Sequence, residues 1–394
     1  MDTVLFFVYS NKYICANRIE GARRYAERRG WRIQVVERNS VDRPIDVKGV
    51  IDFWKPVGII AECAGGIPEI SRKTVGKIPL VYLDEDPHGE KGRGYYVNSN
   101  STRVGEIAAR ELLSIGFPHY AFVGWLKRRY WSEDRRIAFE RIISAHGKEC
   151  LSFTVPVSGV QRRTQLRRWL KNLPKPCGLF AAHDPVAEEI LELAAMEGLK
   201  VPDELSVIGV DDDPVICERT SPTLTSIRLD FNAGGYLCAE ILDRVIADRK
   251  LPAIRLNFEP MYVTHRLSTC RVTNVSPRVR KAVEFIRLHA EEVLDVAAVV
   301  AEMGCSRRLA ELRFREETGH TIYDEILSVR MERVENLLRN PLCKIDTIAA
   351  TCGWASDAAL RTLFKRRHEG LSMSEWRRRQ AKTAGTTGVL PVAG

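Results

Sequence analysis

The sequence has no cysteine pair at CxxC spacing and no His/Cys cluster at metal-ligand spacing. Its ten cysteines are scattered singly. Zinc modules and a disulfide framework are therefore excluded, and the thiols are expected to be reduced and mostly buried. No apolar run is long enough to span a bilayer. The start, Met1 to Tyr9, carries an acid where a signal peptide needs basic residues and has no small-residue cleavage site after it, so the chain is expected to stay in the cytoplasm. There is also no P-loop, no nucleophile-and-base motif and no GxGxxG after a strand. Gly92-Arg93-Gly94 reads as loop and is a weak match, so neither an enzyme nor a cofactor is expected.

What is present is a chain of 394 residues, too long for one ordinary core, with 45% hydrophobic and 28% charged residues. That length predicts two or three compact units. The net charge of +9 permits a polyanionic partner, because basic patches release counterions from nucleic acid. Over residues 1–268 short β-rich runs alternate with helical stretches. The runs Thr3 to Tyr9, Arg32 to Glu37, Gly58 to Ala61, Leu80 to Leu83, Tyr120 to Val123, Cys177 to Ala181 and Leu205 to Val210 predict parallel strands in a doubly wound α/β domain. Residues 269–276 lose this periodicity and precede Pro277, as a linker does. From 277 to 380 every periodic segment reads as helix, and 381–394 is a small-residue tail.

In the helical part, Asp295 caps a short apolar helix that Gly304 ends, and Ser306 opens a second helix. This predicts a helix-turn-helix in which Leu309, Leu312 and Phe314 pack. Ser306, Arg307, Arg308, Glu311, Arg313 and Arg315 are then placed to meet DNA bases and phosphates. The pattern repeats about fifty residues later, from Ile345 to Trp354 and then a helix opened by Ser356. There the candidates are Ser356, Asp357, Arg361, Thr362, Lys365, Arg366 and Arg367. A single such pattern could be two packed helices with a solvated basic face, but two copies joined by the helix from Ile322 to Arg339 argue for double-stranded DNA as a partner.

In a doubly wound sheet, ligand contacts fall just past the strand ends. Those positions are polar here: Ser10, Asn11, Asp84, Trp131 with Arg135, His183 with Asp184, and Asp211. Charged groups around aromatic rings suit a polyol, whose vicinal hydroxyls bond to carboxylate and guanidinium while a ring covers its apolar face. Each has a plainer reading. An Asp at a strand end often caps a helix, as Asp212 and Asp213 are expected to do. Tyr130 and Trp131 either stack on ligand or plug the interlobe hinge, and Arg135 either binds ligand or forms a structural ion pair.

Two resemblances follow from these residues. Ser306-Arg307-Arg308, Phe314-Arg315, Gly319, Glu325-Ile326-Leu327, Arg330, Leu337-Leu338, then Ile345, Ile348-Ala349, Cys352-Gly353-Trp354 and Phe364-Lys365-Arg366 resemble the AraC-family double helix-turn-helix. Gly198 to Asp203, Leu205 to Asp212 and Ser221 to Ile227 resemble the effector domain of LacI-type repressors and the periplasmic sugar-binding proteins. The second resemblance implies a two-lobed fold, with lobe one at about 1–97 and 226–248 and lobe two at about 98–225 and 249–268. It places effector contacts on Asp84, Arg135, Asp211 and the pair His183 and Asp184, where His183 replaces the usual Asn. Together the resemblances imply a regulator that answers to a small monosaccharide, xylose foremost. A transport receptor would share the first domain but has no use for the second. The apolar stripe Tyr236, Leu237 and Ile241 on the helix from Asn232 to Ile246 predicts a homodimer.

Overall fold

A computed structural model describes the chain except residues 9–11, 38–44, 64–69, 87–93, 126–128, 155–158, 271–274, 291, 293, 340–344 and 386–394. The predicted candidates Ser10 and Asn11 lie outside the described residues.

The chain begins with β1 (Thr3–Val8), α1 (Lys12–Arg29), β2 (Arg32–Glu37), α2 (Val47–Trp54), β3 (Gly58–Glu62), α3 (Arg72–Val75), β4 (Leu80–Leu83) and β5 (Tyr95–Ser99). It continues with α4 (Ser101–Ile115), β6 (His119–Val123), α5 (Tyr130–Ala145), β7 (Cys150–Phe153), α6 (Gly159–Asn172), β8 (Cys177–Ala181), α7 (Asp184–Met196), β9 (Leu205–Val210), α8 (Pro214–Cys217) and β10 (Thr225–Leu229). Then come α9 (Phe231–Ala247), β11 (Ile254–Phe258) and β12 (Pro260–Thr264). The strands form two six-stranded sheets, in the orders β11-β5-β4-β3-β1-β2 and β12-β10-β9-β8-β6-β7. Every pairing is parallel except β10 with β12. β3 and β8 are buried along their whole length, as central strands covered by helices on both faces must be.

Each sheet is the floor of one lobe, and the chain crosses between lobes after β5, after β10 and after β11. The expected lobe boundaries shift accordingly. β10 belongs to the second sheet, because it pairs with β9, and β11 belongs to the first, because it pairs with β5. The crossings are tied together: Asn100 donates its side-chain N–H to Glu259 at 2.8 Å, and its backbone N–H goes to Phe258 at 2.9 Å. Asn100 and Asp230 also cap α4 and α9, so each helix starts at the hinge.

In the first lobe α1 packs along α9. The contact is close enough that a Cβ at Gly21 would lie 1.9 Å from the Asn232 carbonyl oxygen, and one at Gly235 would lie 1.9 Å from that of Arg18. This pairing covers the stripe expected to make a dimer. Ile241 is buried, and Tyr236 packs edge-on against Tyr25 with ring centroids 5.2 Å apart. The stripe reads as exposed only when its helix is considered alone.

The remaining helices are α10 (Pro277–His289), α11 (Val296–Met303), α12 (Arg307–Thr318), α13 (Ile322–Arg339), α14 (Ile345–Thr351), α15 (Asp357–Arg367) and α16 (Met373–Gly385). They build two small cores that share α13. Ile322, Ile326 and Val329 close the first around Val299, Met303, Ala310 and Phe314. Met331, Val334 and Leu338 close the second around Ile348, Cys352, Leu360, Phe364 and Trp376. Buried Arg330 donates to the carbonyls of Ala290, Glu292 and Leu294, tying α13 to the end of α10. No helix among the described residues is long and apolar enough to cross a membrane, and no disulfide joins the described cysteines.

Candidate ligand cleft and basic helices

The ends of β3 and β4 bring acids to the face of the first lobe that meets the second. Asp84 follows β4 in the left-handed region, at φ 53°, so its carboxylate turns back onto the backbone N–H of Ser99 at 2.7 Å. Arg18 on α1 bridges Asp84 and Glu62, with Glu62 at 2.5 Å. All three are buried. Burial disfavours the Arg18 charge, but Asp84 and Glu62 outweigh it and hold its pKa above the ordinary value. Such a triad persists because each charge is compensated.

The second lobe supplies the facing wall. Tyr130 opens α5 and donates its hydroxyl across the cleft to Asp84 at 3.3 Å. One turn on, Arg135 is buried with its guanidinium 4.9 Å from the Trp131 ring centroid, and it donates to the Ala182 carbonyl at 2.5 Å. Burial lowers the Arg135 pKa, with Asp211 and Asp84 opposing. His183 packs against Trp125 and Trp131, with centroids 4.5 and 5.5 Å away. Burial first, then the Arg135 and Arg162 charges, push its pKa down to about 3, so its ring is neutral. Asp211 directly follows β9 at φ 108°, and burial pushes its carboxyl up to about 7 against the pull of Arg135 and Arg18.

Asp84, Trp131, Arg135, His183 and Asp211 are thus brought to one cleft. Asp184 is not. Its carboxylate is fully buried, one oxygen accepting from the Ser226 hydroxyl at 2.6 Å and the other from the Asp213 N–H at 2.9 Å. The side chain at the start of α7 points into the layer beneath the strand ends. Asp213 caps α8 as expected, accepting from Val215. Asp212 does not cap; it accepts from Arg266 at 2.7 Å and Thr264 at 2.8 Å. Arg18 and Glu62 were not foreseen. Glu62 was open to the strand-end rule had β3 been carried one residue further, whereas Arg18 sits in mid-helix with no local signal.

Polar atoms in this cleft, among them Arg18 Nε, Trp131 Nε1, Arg135 Nε and His183 Nδ1, are buried with no partner among the described residues. Unpaired buried donors are costly, which makes such a cluster a place where a hydroxyl-rich ligand gains bonds rather than exchanging them with water. Among the described residues no group of His, Cys, Asp and Glu is placed to hold a metal ion.

In the helical part the two candidate helices are α12 and α15. On α12, Arg307, Arg308, Glu311 and Arg315 are exposed and Arg313 is half-buried. Arg307 pairs with Glu311 at 3.0 Å, one turn along. Ala310 and Phe314 form the packing face, so Leu312, expected to pack, stands on the opposite side at 54% exposure. Ser306 opens α12 without a side-chain capping bond, whereas Ser356 caps α15 by accepting from Ala359. On α15, Arg361 pairs with Asp357 at 2.6 Å, Thr362 bonds back to the Ala358 carbonyl, and Arg367 folds onto Glu335 of α13 at 3.1 Å. Lys365 and Arg366 stay exposed, with no ion pair among the described residues.

A two-lobed cleft followed by paired helix-turn-helix units defines a sugar-responsive transcription regulator. Residues 109–269 match a periplasmic binding protein-like domain, and residues 299–379 match a helix-turn-helix domain. The chain is homologous over nearly its whole length to the xylose operon regulatory protein of Escherichia coli (strain K12). They are 27% identical over 379 residues, 93% of this chain and 94% of the relative. The Haemophilus influenzae protein of the same name is 28% identical over 280 residues, 70% of this chain and 72% of its own. Among solved structures, a xylose-binding transcription activator superposes with a TM-score of 0.60 at 25% identity, covering 96% of this chain and 98% of that one. A cellobiose complex of a transcriptional regulator shares the fold of the first domain, with a TM-score of 0.57 over 68% of this chain and 84% of its own.

Proposed function

We propose that this chain senses xylose in the interlobe cleft and sets the DNA occupancy of its helical domain accordingly, within the cytoplasm. The observation that carries the reading is the set of unpartnered buried atoms on Trp131, Arg135 and His183, beside an Arg135 whose charge Asp211 and Asp84 support. A pentose offers hydroxyls that accept from the nitrogens and donate to the carboxylates, and a ring face that lies on Trp131. Asp184 supports the site from below by fixing Ser226 and the backbone beside Asp213. Xylose is preferred over other monosaccharides because the relatives that span both domains are named for it.

Ligand bridging both lobes favours the closed arrangement by its differential affinity. In this reading residues 1–268 bind the effector, 269–276 transmit, and 277–380 bind DNA. The exposed starts of α12 and α15 enter successive major grooves about 34 Å apart on one face of the duplex. Arg308 and Arg315 of the first helix, and Lys365 and Arg366 of the second, are exposed, form no ion pair among the described residues and are the cations assigned to DNA. A homodimer is kept in the reading because related effector domains pair, but through a surface other than α9. Sedimentation showing only monomer at micromolar concentration removes it. Calorimetric titration of the purified chain against a panel of pentoses and hexoses tests the core of the reading. Xylose is expected to bind tightest, and a panel without binding overturns it.

A further inference from the structure

The helical domain is docked on the second lobe. His265, just past β12, bonds Glu332 of α13 through Nδ1 at 2.6 Å and Glu111 of α4 through Nε2 at 2.9 Å. Arg280 of α10 reaches Asp203 at 3.6 Å. Between the two bodies lies a cavity of about 250 Å³, walled by the segment after β9 and by β12 on one side and by α10, α13 and α14 on the other. Its charged lining includes Glu218, Arg228, His265, Arg287, Glu332 and Arg333.

Arg228 differs from the rest of that lining. It belongs to β10 of the second lobe and its guanidinium carbon lies 5.1 Å from the ring centroid of Tyr13, which stands on α1 of the first lobe. It lies 3.9 Å from Asp212, and its Nε is buried without a partner among the described residues. Asp212 directly follows Asp211 of the cleft, and both have positive φ, 108° and 51°, a pair of uncommon conformations that fixes one carboxylate's direction relative to the other. Arg266 and Thr264, which hold Asp212, flank His265 in sequence. One side chain therefore touches the first lobe, the anchored end of the cleft and the junction with the helical domain.

We propose that Arg228 is the positioning residue that reports lobe closure to the DNA-binding domain. Closure seats Tyr13 over the guanidinium and holds the charge at the edge of the junction cavity, next to Asp212. Opening removes the ring and leaves a cation with a loose partner in a cavity that also contains Glu218 and Glu332. Attraction to Glu332 then competes with His265 for the carboxylate by which α13 is docked. The device has two discrete arrangements, each favoured by one lobe position, as coupling between sites requires. The inference rests on the sugar-responsive reading.

The test uses the full chain and four variants: Arg228→Met, Arg228→Lys, Tyr13→Leu and Tyr13→Phe. For each, the DNA dissociation constant is measured by fluorescence anisotropy with and without saturating xylose, and the xylose dissociation constant by calorimetry. In the wild type, sugar is expected to change DNA affinity by roughly 5- to 150-fold. Arg228→Met and Tyr13→Leu should reduce that ratio to about twofold or less while sugar still binds. Tyr13→Phe keeps the ring and should keep the ratio. Arg228→Lys keeps the charge without the planar stack and should fall between. A wild-type ratio in both Tyr13→Leu and Arg228→Met overturns the proposal, as does a lost ratio in Tyr13→Phe. If Arg228→Met does not fold, the two Tyr13 variants decide. A wild type that binds xylose with no change in DNA affinity overturns the proposal while leaving the cleft assignment standing. A wild type that binds no sugar overturns the functional reading and this inference with it.

Discussion

Charge is used in opposite ways in the two parts of this molecule. In the cleft, Arg18, Glu62, Asp84, Arg135 and Asp211 are all buried, and the pKa values of Arg18, Arg135 and Asp211 depart from the ordinary. On α12 and α15, Arg308, Arg315, Lys365 and Arg366 are exposed. Buried charges come from distant segments and support one another, so removing one disturbs both the fold and the site. Exposed charges on a helix held by its opposite, apolar face leave the fold alone and act only when a partner arrives. The comparison teaches that the cleft is a folded-state property, whereas the basic helices carry their function on a surface.

The most damaging way to sharpen this contrast is Arg18→Ala. It leaves Glu62 and Asp84 buried without their cation and should cost about 3 to 5 kcal/mol of stability in urea unfolding. A loss under about 1 kcal/mol would mean the cleft charges are no more interdependent than surface ones.

Asp211→Ala should weaken xylose binding by roughly 1.5 to 3 kcal/mol and leave sugar-free DNA affinity unchanged. Normal sugar binding by that variant would move the site elsewhere. The same carboxyl sets a pH dependence. Burial raises its pKa to about 7, and sugar hydroxyls donate to the ionised form, so affinity should rise with pH through that value. If only the ionised form binds, the gain is roughly tenfold from about pH 6 to about pH 8. Asp211→Asn should be flat over this range, and calorimetry at several pH values checks both.

On the helices, Arg308→Ala should cost about 1 to 3 kcal/mol of DNA affinity and relax preference at one base position, with the melting temperature unchanged. Arg366→Ala, the smallest effect, should weaken all sequences alike and reduce the salt-dependence slope by about one. Footprinting with salt titration separates them. A specificity change from Arg366 and a uniform loss from Arg308 would reverse their roles.

The strand-end rule located Asp84 and Asp211 because parallel strands deliver their C-terminal ends to one edge whatever the packing around them. It failed at Asp184, whose carboxylate answers to Ser226 and Asp213. Those partners come from other segments, and no local pattern announces them. Periodicity identified α12, yet the side assigned to Leu312 was wrong because Ala310 and Phe314 already satisfy the small core. Arg367 reads as a free cation in sequence, but the fold spends it on Glu335.

Seven of the strands (β1 to β4, β6, β8 and β9), the division into an α/β part and a helical part, and the doubled helix-turn-helix were legible in the sequence. Each rests on contacts between near neighbours: caps, turns and the spacing of apolar residues along one helix or strand. Tertiary structure alone decided that Arg18 joins Asp84 and Glu62, that the stripe on α9 is covered by α1, that β10 and β11 exchange lobes, and that Arg228 lies between Tyr13 and the junction cavity. Those outcomes depend on which distant surfaces share the burial of apolar area and compensate one another's charges, and that balance exists only once the chain has folded.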